Sequence, residues 1–305
     1  MYTAAGLLAE IQTLVTRHAR PDMRTPIDGL LVSRVDTSAP DYSLTEPLLV
    51  VLAQGGKRLL LGEQTFEYRA GQFLVVTADL PVTGHFLDAS PQMPALGFGL
   101  TLRSTAIAAL LLENPVPRPS RSAVGPPAIA TGDASLDLLD AVVRMLRLLD
   151  APDDAGVLAP LVEREILWRL LTDPHGAVLR EIGLADSGLT HISRAIAWIR
   201  DNYAEPMRIE DLAELAGMSS SAFHRHFRAI TAMSPLQFQK RIRLQQASAF
   251  LAAGAGDVAG VGHLVGYDSA TQFNREYRRL FGLPPGRHTE QLRSSVAAEQ
   301  AAHLP

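Results

Sequence analysis

The sequence has 305 residues and no cysteine, which excludes disulfides, thiolate metal sites and cysteine-based redox switching. It also lacks any run of 18 apolar residues, and its opening segment, MYTAAGLLAE, has no basic stretch followed by a long apolar one. Neither membrane insertion nor secretion is expected, and a cytoplasmic location follows as the default. Histidine is scarce where a metal enzyme would need it. Only His85 falls between residues 27 and 102, whereas a metal-dependent barrel gathers several imidazoles and a carboxylate around an open coordination position. No catalytic residue, metal or cofactor is therefore assigned, and His85 reads as a core-edge or surface histidine. An overall excess of basic charge is missing too: 28 Lys and Arg stand against 32 Asp and Glu, a net charge of −4.

That average hides a division. Residues 191–295 carry 13 Lys and Arg against 9 Asp and Glu, and the remainder 15 against 23. With 47% hydrophobic and 20% charged residues, the chain has the composition of an ordinary folded protein long enough for two domains.

The basic excess coincides with an internal repeat. Residues 266–285, GYDSATQFNREYRRLFGLPP, read as a turn and a helix. Phe273, Tyr277 and Leu280 recur at i, i+4 and i+7, which at about 100° per residue makes one buried stripe. Thr271, Arg275, Arg278 and Arg279 fall on the opposite side. Alone, such a pattern reads more often as a solvated surface helix. However, residues 217–235, GMSSSAFHRHFRAITAMSP, repeat it at an offset of 50: Phe223 matches Phe273, Arg225 matches Arg275, Phe227 matches Tyr277, Arg228 matches Arg278 and Pro235 matches Pro285. Leu212, Leu215 and Gly217 match Val261, Leu264 and Gly266 at an offset of 49. Each unit is a helix, a glycine-containing turn and a second helix, the arrangement that places its second helix in the major groove. Two copies would read successive groove faces roughly 34 Å apart.

A long helix over 235–252 separates the units, with Lys240, Arg241 and Arg243 as candidate phosphate contacts and a solvated face as the alternative. Helix 257–265 leads the second unit, and Gly260 and Gly262 would each cost it about 1 kcal/mol relative to alanine. His224 and His226 form H-x-H, but on a helix the two rings point to different sides.

The N-terminal half has a different texture. A helix over 4–19 precedes short apolar runs between 27 and 102 (IDGLLVSRV, PLLVVLAQ, KRLLLG, QTFEYR, QFLVVTA, PVTGHFL and ALGFGLTL), punctuated by Gly55-Gly56, Gly62-Glu63 and Ala70-Gly71. These predict an antiparallel barrel or double-sheet jelly roll. Helix 104–113 follows, then an extended Pro- and Gly-rich connection over 115–132, then amphipathic helices within 134–172 that pack on the barrel or on another subunit.

These residues resemble the AraC-type family of bacterial transcription regulators. GYDSATQFNREYRRLFGLPP is similar to that family's C-terminal signature of G-[FY]-x-S, an aromatic-anchored helix and F-G-x-x-P, and DLAELAGMSSSAFHRHFRAITAMSPLQFQ is similar to its first-unit pattern. EPLLVVLAQGGKRLLLGEQTFEYRAGQFLVVTADLPVTG and the helices after it are similar to the effector-binding N-terminal domain of one branch. The resemblance implies an α+β protein of two domains. Residues 1–175 would form a cupin-like β-barrel domain with a helical hairpin (barrel about 25–103) for effector binding and dimerisation. Residues 176–190 would be a linker, 191–295 an all-α tandem helix-turn-helix DNA-binding domain and 296–305 a tail. It implies base contacts from Ser221, His224, Arg225, Thr271, Gln272, Asn274 and Arg275, and phosphate contacts are assigned to Arg228, Lys240, Arg241, Arg243, Arg278 and Arg279. The implied partners are double-stranded DNA, a small-molecule effector, RNA polymerase if the protein activates, and a second copy of the chain. Ser221 is smaller than many of the family's readers, and the family usually has alanine or larger residues where this chain has Gly260 and Gly262. A small-molecule-binding or catalytic barrel whose C-terminal domain has lost DNA binding is the alternative, supported by those glycines and by the modest size of the basic excess.

Overall fold

The apolar runs of residues 27–102 become strands because each is short, rich in Val, Leu and Phe, and ended by a residue that turns the chain. The computed structural model describes residues 3–114, 126–184 and 187–292. The chain divides into two compact units, Met1–Arg194 with Ser221–Met233, and Ala195–Ser220 with Ser234–Pro305.

The first unit opens with α1 (Ala4–His18), capped by the Thr3 hydroxyl, which accepts from the Gly6 N–H at 3.2 Å. Strands β1 (Leu30–Val35), β2 (Asp41–Thr45), β3 (Leu48–Gln54), β4 (Gly56–Leu61), β5 (Gln64–Arg69), β6 (Gln72–Val76), β7 (Leu80–Leu87), β8 (Ala95–Thr101) and β9 (Ile129–Asp133) follow. They form two antiparallel sheets, of order β1-β8-β3-β6-β9 and β2-β7-β4-β5. The expected antiparallel β domain is present, as two sheets and not as a closed barrel. Two of the places where the chain changes sheet are glycine corners. Gly55 (φ 80°) carries β3 of the five-stranded sheet into β4 of the four-stranded one, and Gly71 (φ 82°) carries β5 back into β6. Both positions need a left-handed backbone, which glycine adopts without a side-chain clash.

One face of the five-stranded sheet is covered by α1, by α3 (Leu136–Arg147) and by α4 (Pro152–Thr172). Leu7, Ile11, Val51, Phe73, Phe98, Val142, Ile166 and Leu170 share one buried core there. α2 (Ser104–Glu113) occurs where the sequence predicts it. The segment expected as an extended connection, 115–132, lies outside the described residues as far as 125, and its end forms the edge strand β9 against β6. Within the expected linker, α5 (Gly176–Gly183) is helical. The tail 296–305 lies outside the described residues.

Next come α6 (Gly188–Asp201), α7 (Ile209–Leu215), α8 (Ser220–Thr231), α9 (Pro235–Ala252), α10 (Val258–Leu264) and α11 (Ala270–Phe281). α9 begins with a capping box: Ser234 accepts from the Gln237 N–H and Gln237 accepts from the Ser234 N–H, with Pro235 in the first turn. Among the described residues no helix is long and apolar enough to cross a membrane.

Candidate nucleic-acid interface

α11 has the stronger division of faces. Phe273 and Tyr277 are fully buried and Phe281 nearly so, while Leu280 is only half-buried, so the stripe runs i, i+4, i+8 and not through Leu280. The rings are in register, with Phe273 5.5 Å from Tyr277 and Tyr277 4.3 Å from Phe281 between centroids. This anchoring leaves Thr271, Asn274, Arg275, Arg278 and Arg279 exposed. Ser269 caps the helix, accepting from the Gln272 N–H at 3.4 Å, and Gly282 ends it in the left-handed conformation. A helix with guanidinium groups on its free face offers bidentate donors to guanine edges and phosphates.

α8 repeats the plan. Phe223 and Phe227 are fully buried, 5.4 Å apart, while Ser221, His224, Arg225 and Arg228 are exposed. His226 differs from His224 in being partly buried; burial, aided by Arg225 and His191, holds its imidazole below the usual value. Among the described residues no group of three or more His, Cys, Asp or Glu is gathered to hold a metal ion.

The glycines of α10 have packing roles. Asp257 caps α10, its carboxylate accepting from the Gly260 N–H at 2.7 Å, and a Cβ on Gly260 would approach that same oxygen to 2.8 Å. Gly262 is buried, and its Cβ would lie 3.1 Å from the Phe273 ring. Its absence lets α10 approach the aromatic anchor of α11. Gly266, in the turn, has φ 89°, and a Cβ there would come within 2.2 Å of the Ala204 carbonyl oxygen.

Two of the expected phosphate contacts are engaged internally. The Arg243 guanidinium donates to the carbonyls of Tyr203 (2.6 Å), Gly266 (2.6 Å), Ala204 (3.1 Å) and Glu205 (3.2 Å). Four of its five N–H groups are thereby used in tying the end of α6 to the turn of the second unit. Lys240 pairs with Glu276 at 2.8 Å. Arg241 is of intermediate exposure. Gln272, expected as a base contact on the flank, is half-buried and donates to Glu276 at 3.2 Å; Asn274 donates to the Ala270 carbonyl at 2.8 Å.

Glu276 and Tyr267 were not singled out in the sequence. Glu276 stands four residues after Gln272, so a local pair was legible, but its partners Lys240 and Tyr267 meet it only through the fold.

Comparison with known proteins fits this geometry. Residues 26–178 match the family described as "AraC-type transcriptional regulator N-terminus", and residues 212–291 match a "Helix-turn-helix domain". A protein of Streptomyces lividans described as an AraC-like transcription regulator is 30% identical over 113 residues, covering 37% of this chain and 36% of that protein. The transcriptional activator RhaS of Salmonella agona is 28% identical over 152 residues, covering 48% of this chain and 53% of RhaS. The chain thus spans about a third to a half of the length of these curated relatives. Among solved structures, unsaturated fatty acid-bound ToxT from Vibrio cholerae has a TM-score of 0.54 at 9% identity, covering 88% of this chain and 97% of that one. A ligand-free ToxT variant has a TM-score of 0.55 at 9% identity, covering 88% and 100%. These likenesses concern the fold.

Proposed function

The chain belongs to the AraC-type transcriptional regulators, and from that membership we propose that it is a sequence-specific DNA-binding regulator of transcription that reads duplex DNA with α8 and α11. One observation carries the reading: both helices bury a pair of aromatic rings and leave an arginine, Arg225 or Arg275, exposed two positions after the first ring. Base contacts are assigned to Ser221, His224, Arg225, Thr271, Gln272, Asn274 and Arg275. Phosphate contacts are assigned to Arg228, Arg278 and Arg279, with Arg241 a flanking candidate. Lys240 and Arg243 are withdrawn from that role because their charged groups serve Glu276 and backbone carbonyls.

The functional division follows chain order, with an effector-binding and dimerisation region over 1–175 and a DNA-binding region over 191–295, in the cytoplasm. The effector is a small molecule; ToxT, which shares the fold, binds an unsaturated fatty acid. A cleft of about 230 Å³ lined by Ile27, Leu100, Met145 and Pro160, with Arg103 and Glu163 on its wall, supports a ligand-binding role for this region. Exposed Val157, Leu158 and Leu161 on α4 and Leu112 on α2 support a dimer. RNA polymerase is the further partner if the protein activates, and no catalytic role is assigned.

Selection of binding sites from randomised duplex DNA by the full-length protein tests the reading. Enrichment of one sequence bound far more tightly than bulk DNA is expected, with affinity falling as salt rises. Equal binding to all duplexes would overturn it.

A further inference from the structure

The second helix-turn-helix unit contains a buried carboxylate that neither a groove-reading helix nor a phosphate contact requires. Glu276 lies on α11 between the aromatic anchors and is 7% exposed. One of its oxygens, Oε1, accepts from Lys240 Nζ at 2.8 Å and from Gln272 Nε2 at 3.2 Å; the other, Oε2, accepts from the Tyr267 hydroxyl at 2.9 Å. Tyr267 in turn packs at a tilt against Phe273, 5.3 Å between centroids, and lies under the Arg243 guanidinium at 5.8 Å. The carboxylate is therefore joined to α9, to the turn and to its own helix at once.

Its charge state decides what Gln272 presents. Burial alone would raise the Glu276 pKa, but hydrogen bonds from Lys240, Gln272 and Tyr267 outweigh it and hold the group below the usual carboxylate range. An ionised carboxylate only accepts, so the Gln272 amide must turn its nitrogen inward. One amide N–H is then used, while the carbonyl oxygen and the second N–H stay available as an adjacent acceptor and donor. That pair matches the N6 donor and N7 acceptor of adenine in the major groove. A free glutamine amide can rotate by half a turn and present the reverse order; this one is pinned.

We propose that Glu276 is a positioning residue for base recognition, fixing the amide orientation of Gln272 so that α11 favours adenine at the base pair Gln272 faces. The inference rests on the reading of α11 as a base-reading helix. Lys240, in this account, neutralises the buried carboxylate and leaves DNA contact to the exposed arginines.

The test uses full-length protein and its selected site, with every single base-pair substitution measured for wild type, Gln272→Ala, Glu276→Gln and the double variant. Glu276→Gln keeps the shape but can donate as well as accept, which releases the amide. Gln272→Ala is expected to erase the preference for adenine at one position. Glu276→Gln should weaken the same preference by about tenfold, leave the base preferences at other positions unchanged, and add nothing in the double variant. Two-dimensional NMR should show one Gln272 side-chain amide proton displaced from its free-glutamine position in wild type and returned toward it in Glu276→Gln. If Glu276→Gln is too unstable to assay, Glu276→Asp withdraws the carboxylate by one methylene and allows the same comparison. An unchanged preference in the Glu276 variants, or an equal loss at every position, would overturn the proposal. So would a Gln272→Ala protein with unaltered base preference. A wild type with no sequence preference at all would sink the reading of α11 together with it.

Discussion

Arg243 shows how far a residue's charge can mislead. On sequence it stands with Lys240 and Arg241 as one basic cluster on a long helix, and electrostatics alone favours a phosphate contact. The fold gives it to four backbone carbonyls at 2.6–3.2 Å after α6 and in the turn; Gln239 also donates to two of them, Tyr203 and Glu205, and Ala204 and Gly266 take their side-chain donor from Arg243. Replacing it with methionine is expected to destabilise the protein by about 3 kcal/mol, read as a lower midpoint in denaturant unfolding. If it positions the turn and makes no phosphate contact, affinity should fall alike for all duplexes with the salt slope preserved. A slope reduced by about one, without loss of stability, would return it to the phosphate set. The exposed arginines were legible in the sequence because an aromatic stripe fixes the opposite side of a helix. Lys240 and Arg243 were not, because their partners lie 36 residues away for Lys240 and 23–40 residues away for Arg243.

At the scale of elements, the glycines of the second unit change meaning. A count of helix propensities makes α10 weak, and Gly260 and Gly262 look like defects. In the fold, Gly262 makes room for Phe273, and Gly260 lies in the first turn, where the Asp257 cap holds it. The glycines thereby cease to support a C-terminal region that has lost DNA binding, which leaves only the modest basic excess of that region for it. The strictest requirement is at Gly266, where a left-handed backbone and a carbonyl oxygen within 2.2 Å of any Cβ coincide. Gly266→Ala is expected to cost at least about 2 kcal/mol and to abolish specific binding, measured by thermal melting and DNA titration. A variant that melts like wild type would show that the turn can relax. The strands tell the same story from the other side. Those rich in buried Val, Leu and Phe were legible as apolar runs. β2 and β9 were missed, because both are edge strands, β2 without a fully buried residue and β9 with only Ile129 buried, and so neither shows a hydrophobic pattern.

For the whole molecule, the overall charge of −4 conceals a basic C-terminal segment, and the internal repeat made its function legible. An offset of 50 residues places the same anchor-and-arginine arrangement on two helices, and both helices show it in the fold. Seven of the nine N-terminal strands were legible as apolar runs, but whether they close into a barrel was not, because a hydrophobic run specifies a strand and not the sheet it joins. The chemistry of the proposed effector was not legible, since no constellation of residues in the sequence points to one ligand class. The central claim, that two arginine-bearing helices give sequence-specific recognition, is tested most directly by one ratio. This is the affinity for the selected site divided by that for a scrambled duplex, measured at fixed salt for wild type, Arg225→Ala, Arg275→Ala and the double variant. Each single change is expected to lower the ratio by about tenfold or more, and the double change to lower it further, while scrambled-site affinity moves little. A ratio unchanged in all three variants would contradict the account.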